Sequence, residues 1–285
     1  MIGESPGTSG SQPPASRALE PPQGVPAAGA GAFEVRNRQL ARAAVEPAQQ
    51  VLVHRYRLPS QAAGFDLLKQ TSQRFNIKLH TLADALMHVA PPDAGAGQWF
   101  PRRARFRAPV LPGLAVQGAE PGSHGAVLRA ALRRVLHIAE TGMGNVQLAE
   151  HGMLRLEKHT GLNRYFTDFF AFVNDSSTLC AQAAQQRQQI TVKDVESADI
   201  FDEDSRHAIL QAGSRAAHSL PLTHRGHVLG MISSHHAQPL AGLSQTQLTA
   251  LDDTGAAVGR WLHWHRHTLV LDALEHLHTT TARSR

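Results

Sequence analysis

The chain has 285 residues, 42% hydrophobic and 18% charged, with a formal net charge of +5. This supports one or two packed domains and excludes disorder over the whole chain. No apolar run approaches the ~18 residues of a membrane span, so no membrane partner is expected, and the opening MIGESPGTSGSQPP lacks the basic start and apolar stretch of a secretory signal.

The single cysteine, Cys180, cannot form an intrachain disulfide or a cysteine-based zinc site, and a reducing cytoplasm is the simplest compartment. Basic residues are almost all arginine, 24 of 28. Arginine is the better fork for phosphate, although arginine and alanine richness also accompanies GC-rich coding. The positive excess lies in the first half: residues 33–90 sum to +4 and 91–125 to +2, whereas 126–285 sum to zero. That distribution fits a polyanionic partner at the first half.

Residues 1–32, rich in Pro, Gly, Ser and Ala, read as a disordered tail. Residues 33–90 read as a small helical unit. Val45, Ala48, Leu52 and Val53 mark a first helix, with Pro47 in its first turn, where a missing N–H costs little. Ser60 caps a second helix with Phe65, Leu67 and Leu68 on its stripe, and Asn76 interrupts before a third carrying Leu79, Leu82, Ala83 and Leu86. Three short helices bury little by themselves, so the unit needs a partner helix, another domain or a second copy.

The run QQVLVHRYRLPSQAAGFDLLKQTSQRFNIKLHTLADAL resembles an ANTAR domain, with AxxxLxxRY (Ala48, Leu52, Arg55, Tyr56) and SQRxNxKLxxxADAL (from Ser72) as its strongest parts. The resemblance implies a three-helix RNA-binding module that acts in transcription antitermination on hairpins in leader transcripts. Gln50 replaces a usual glycine, Gly64 a usual alanine, and Pro47 falls inside a segment that is normally one helix. Arg42, Arg55, Arg57, Arg74 and Lys78 are candidates to meet RNA phosphates, and Gln49 and Asn76 to hydrogen-bond splayed bases. The plain alternative is a solvated polar face.

Residues 91–125 hold six prolines among many glycines and read as a linker. Its basic stretch PRRARFR (101–107) is either solvated chain or an auxiliary phosphate contact.

Residues 126–285 form the larger unit. HGAVLRAALRRVLHIAE predicts a helix. GNVQLAE and MLRLEKH predict a hairpin, LNRYFTDFFAFV an aromatic-rich helix over 162–173, QQITVKDV a strand, and 214–236 a second hairpin turning at Arg225-Gly226. One long helix is predicted over 244–278. This order is an α+β sandwich with an antiparallel sheet. MGNVQL, the Phe169-Phe170 pair, VKDVxxxxIF, AGxRAxxSxPL and GxxLGMxSxH occur in the order of a GAF domain, and the unit is similar to that family.

The resemblance implies a sensor domain whose pocket, between the sheet and the middle helices, binds a small molecule or a partner protein. Candidate lining residues are Phe169, Phe170, Cys180, Asp194, Phe201, Arg215 and His218. Arg215 is read either as a fork for an anion or as a surface pair; Cys180 as a buried thiol or a redox or haem contact. His263 and His267 share a helix face but lack an assured third ligand, so no metal is assigned, and the cofactor is unknown.

The long helix carries more apolar residues than one domain must bury. A parallel homodimer through 126–139 and 244–278 is therefore expected. No phosphate loop, dinucleotide-binding glycine motif, nucleophile elbow or carboxylate pair is present, so the chain is read as a non-enzyme. The fold class is thus multidomain: a small all-α three-helix module, then an α+β domain. The leading function is a sensor controlling an RNA-binding antitermination module; the alternative is a sensor whose helical module only dimerises or docks a partner.

Overall fold

The structure is a computed structural model that describes residues 28–43, 45–93, 95–116, 122–150, 152–173, 183 and 186–283. Cys180 and most of the N-terminal tail lie outside the described residues.

The first helix, α1 (Ala28–Ala43), begins inside the stretch expected to be tail. It is followed by α2 (Val45–Tyr56), α3 (Gln61–Arg74) and α4 (Leu79–His88). Pro47 sits in the first turn of α2. The Ser60 hydroxyl accepts from the Ala63 amide at the start of α3. Asn76 turns the chain into α4 at φ 50°, a conformation asparagine tolerates better than most residues. Gly64 marks the crossing of α2 and α3: a Cβ there would lie 3.1 Å from the Gln49 carbonyl oxygen, which accounts for glycine at this position.

The larger unit starts with α5 (His124–Ile138). Strands β1 (Met143–Glu150) and β2 (Met153–Thr160) form the expected first hairpin. Then come α6 (Arg164–Phe169), β3 (Phe172–Val173), β4 (Ile190–Val192), α7 (Glu203–Gln211), and the hairpin β5 (Ala216–His224) and β6 (His227–His236). The aromatic helix expected over 162–173 is shorter. It ends at Phe169, because Phe172 and Val173 pair with Arg155 and Leu154 as an edge strand. Arg225 and Gly226 both have positive φ, 47° and 77°, as the two-residue turn of a right-twisted hairpin requires. The six strands are antiparallel in the order β3-β2-β1-β6-β5-β4.

The expected single C-terminal helix has three parts: α8 (Gln245–His265), a π-helical turn (Arg266–Val270) and α9 (Leu271–Arg283). Ser244 and Gln247 form a reciprocal capping box at its start.

Strand alternation divides the core in two. Val146, Leu148, Leu220, Leu222 and Ile232 face α5 and α8, with Leu128, Leu132, Val258 and Trp261. Leu154, Ala217 and Met231 face α6 and α7, with Phe166, Phe170 and Ile209. A third core belongs to the helical module: Ala48, Leu52, Leu68, Leu82 and Leu86 close around Val270, Ala273, Leu274 and Leu277 of the C-terminal rod. The module therefore finds its partner helix within the chain. The surplus leucines of the rod are buried intramolecularly.

Residues 95–116 form no helix or strand but are docked. Trp99 is buried, its indole N–H donating to Ala90 O at 2.8 Å. The Trp99 and Phe100 amides donate to the Glu275 carboxylate at 3.2 and 2.8 Å. Arg103 pairs with Asp272 and also reaches the His267 carbonyl, 3.2 Å away in the π turn. Residues 99–105 thus run as a strap along the rod.

Candidate functional site

Of the seven RNA candidates, Arg42, Arg57, Arg74, Asn76 and Lys78 are exposed. Arg57 follows α2 at φ 51°, and Arg74 and Asn76 stand together at the α3–α4 turn. Gln49 is half-buried at the α2–α3 crossing. Two of the seven are engaged within the chain. The Arg55 guanidinium lies over the Trp99 ring, 4.9 Å from its centroid. Lys78 reaches out of the helical module and pairs with Glu157 on β2.

That pair belongs to a charged junction between α4 and the β1–β2 hairpin. His80 lies 3.3 Å from the Glu150 carboxylate and 3.5 Å from that of Glu157, and Arg155 is 3.7 Å from Glu157. The His80, Glu150 and Glu157 donors are close enough together to hold a divalent ion. Lys78 and Arg155 already supply the counter-charge that an ion would bring.

The second site is a cavity of about 20 Å³ between the sheet and α6, room for about one water molecule. Asn145, Gln147, Ala217, Ser219, Ser233 and His235 form its sheet wall, and Phe166, Phe170, Val173, Phe201 and Ile209 its roof. Gln147 donates through Nε2 to Phe170 O at 3.1 Å, while its buried Oε1 has no partner. His235 is held between Ser214 Oγ and Asn145 Oδ1, both at 3.0 Å. Burial pushes its pKa down to about 3, so the wall is neutral at physiological pH.

Of the expected pocket residues, Phe170 and Phe201 line this cavity. Phe169 turns away and packs edge-on against Phe33 of α1, with centroids 5.3 Å apart. His218 is buried but bonds Thr191 and Gln189 at 2.8 and 2.9 Å, tying β4 to the sheet. Asp194 and Arg215 lie at the surface, where Arg215 meets Asp194 at 3.7 Å and Glu196 at 2.9 Å. The structure thus favours the surface-pair reading of Arg215 over the anion fork. Cys180 lies outside the described residues. Sequence reasoning passed over Asn145, Gln147 and Ser219 as lining; their signal was strand alternation, which puts them opposite Val146, Leu148 and Leu220.

The ANTAR domain model matches residues 34–87, and the GAF domain model residues 125–263. The chain joins an ANTAR domain to a GAF domain, in that order. No curated protein matches it. Among solved structures it is similar to a GAF domain/HD domain protein from Geobacter sulfurreducens, with 17% identity, 49% of this chain and 92% of that one covered, and a TM-score of 0.43. It is also similar to the GAF domain of a phosphoenolpyruvate-protein phosphotransferase from Acinetobacter, with 12% identity, 70% and 91% coverage and a TM-score of 0.41. A type II free methionine-R-sulfoxide reductase from Thermoplasma acidophilum is 16% identical over 48% of this chain and 92% of that one, with a TM-score of 0.39. Among the described residues no helix is long and apolar enough to cross a membrane.

The ANTAR–GAF junction is expected to respond to pH. Burial alone would raise the Glu157 pKa, but His80 and Lys78 hold it down to about 2. Burial alone would lower that of His80, but contact with Glu150 and Glu157 raises it above 6.5. The Glu157 contribution, ~3 kcal/mol by linkage, is present above pH ~4.5 and lost as pH falls toward 2. The His80 contribution is present below pH ~6.5 and lost as pH rises through its raised value. Hydrogen-exchange protection of α4 is therefore expected to peak between pH ~4.5 and 6.5, after correction for intrinsic exchange. A flat profile would show that the junction carries no charge-dependent stability.

Proposed function

We propose that the chain is a one-component regulator in which the GAF domain sets the exposure of the ANTAR face to hairpins in leader transcripts. A GAF domain with an ANTAR domain is the composition of a regulator with an RNA-binding antitermination module. The observation that carries the reading is the shared third core: the rod that continues from the GAF domain supplies Leu274 and Leu277 to the ANTAR interior. Two further contacts support it. Phe33, Arg36 and Asn37 of α1 lean on α6 and the adjoining strand β3, at the roof of the GAF cavity, with Arg36 donating to Phe172 O at 2.7 Å. Lys78, inside the ANTAR match, is held by the GAF residue Glu157.

A ligand that binds one arrangement of α6 better than another shifts the pair, and only by that difference. The cavity's neutral lining suits an uncharged group with a hydrogen-bond donor for Gln147 Oε1, and at about 20 Å³ it admits anything larger than water only if α6 moves.

The test is crosslinking and sequencing of RNA bound in the protein's own cells, with Arg57→Ala/Arg74→Ala as control. Enrichment of leader hairpins that the double variant loses supports the reading; no enrichment over the variant overturns it. For the control step, Glu157→Gln releases Lys78, while His80 keeps its contact with Glu150. Hairpin affinity is expected to rise several-fold at low salt, as one phosphate contact becomes free. Unchanged affinity in a filter-binding titration would separate the junction from RNA access.

A further inference from the structure

The stretch PRRARFR divides its arginines. Arg103 and Arg105 are spent on Asp272, and Arg103 also serves the carbonyls of the π turn. Arg107 points elsewhere, into an open groove of about 420 Å³ between the strap and the end of α8. Arg225 of the β5–β6 turn and Arg260 of α8 also line it. All three are exposed, and no ion pair to any of them occurs among the described residues. No carboxylate lines the groove. The nearest on α8, Asp253, borders a neighbouring hollow that shares Arg260.

The groove also carries flat faces. Phe106 is 72% exposed at its rim, and Trp264 is fixed by its indole N–H donating to Phe106 O at 2.7 Å. The imidazoles of His263 and His267 are stacked with centroids 3.9 Å apart, and that of His224 lies tilted against His263 at 4.4 Å. Burial, with Arg225 and Arg266 nearby, holds His263 down to about 4, so this imidazole is neutral beside the groove's arginines.

We propose that this groove is a second RNA contact, taking a short unpaired stretch whose phosphates meet Arg107, Arg225 and Arg260 and whose bases stack on Phe106 and the histidine column. A positive groove with aromatic platforms is what sequence-tolerant binding of single strands requires. An acidic peptide would use the charge but leave the flat faces idle. The choice of RNA over DNA rests on the ANTAR reading.

The test is fluorescence anisotropy on the full chain, with a labelled twelve-nucleotide oligouridylate and, separately, a hairpin without unpaired flanks. Arg225→Ala/Arg260→Ala and Phe106→Ala alter exposed side chains, and circular dichroism checks that each variant is folded. Each is expected to weaken oligouridylate binding about tenfold. The double variant should also lower the slope of log affinity against log salt by about 1.4, two single-strand phosphates. Arg57→Ala/Arg74→Ala should leave oligouridylate binding intact and lose the hairpin. Unchanged oligouridylate affinity in folded groove variants overturns the proposal while leaving the ANTAR reading untouched. Loss in the groove variants with hairpin binding unaffected by Arg57→Ala/Arg74→Ala sustains the groove and overturns the ANTAR reading instead. Displacement of oligouridylate by polyglutamate as readily as by unlabelled oligouridylate also overturns the proposal, since charge alone would then explain binding.

Discussion

Gly259→Ala will destabilise the GAF domain by ~3 kcal/mol or more, seen as a lower urea midpoint with an unchanged slope. Helix propensity predicts the opposite sign, a gain of ~1 kcal/mol for alanine over glycine in a helix interior. Packing decides against propensity here. A Cβ at Gly259 would lie 2.6 Å from the Thr223 carbonyl carbon and 2.7 Å from its nitrogen, with the carbonyl oxygen nearer still. One turn earlier, a Cβ at Gly255 would meet the Pro221 carbonyl oxygen at 2.7 Å. Both obstacles are backbone of a central strand, which cannot move aside as a side-chain tip can. Helix α8 therefore lies directly on β5, and overpacking must be relieved by lifting the helix, which opens the contacts of Trp261 and Leu262. A midpoint equal to or above wild type would show that the helix rides further from the sheet.

Leu274→Ala should act on the other half. The side chain is fully buried where α9 enters the ANTAR core, and truncation there costs ~2–5 kcal/mol in lost burial and residual cavity. The ANTAR core is small, built mainly on Leu52, Leu68, Leu82, Leu86 and Leu277 beside Leu274, so the loss is a large share of its stability. Hydrogen-exchange protection across 45–88 should collapse while that of the six-stranded sheet persists. Equal loss in both regions would mean that the two domains unfold as one cooperative unit; unchanged protection would mean that α9 is dispensable to the module.

Features governed by neighbours in sequence were readable before the structure. The Arg225-Gly226 turn, the Ser60 cap and the Ser244 start each depend on a few adjacent residues and occur where expected. Features set by distant pairing were not. Phe166, Phe169, Phe170 and Val173 keep a helical spacing, yet Val173 is taken by an edge strand whose partner, Leu154, is far along the chain. Helix α7 was missed although Asp202 accepts from the Ser205 amide as a normal cap, because its apolar stripe is short. The pocket residues carried over by resemblance divided in the same way. Phe170 and Phe201 line the cavity, whereas Arg215 found carboxylates two loops away that spacing could not reveal. The docking of the strap was not legible because prolines and glycines forbid regular structure without forbidding contact, and Trp99 supplies the contact.

The π turn has a geometric consequence for the rod. Upstream, the buried positions include Leu251, Val258, Leu262 and His265; downstream they include Val270, Leu274 and Leu277. In an uninterrupted α-helix the second set would be rotated by about 100° from the first, the angular step of one residue. A π turn absorbs one residue, and so brings both sets back onto one side. The rod is keyed like a shaft, and the key is one residue wide. Winding 266–270 as ordinary α-helix with no residue removed would swing the ANTAR-facing leucines away from their seat, whereas deleting one residue there would straighten the helix and keep them in phase with the GAF side.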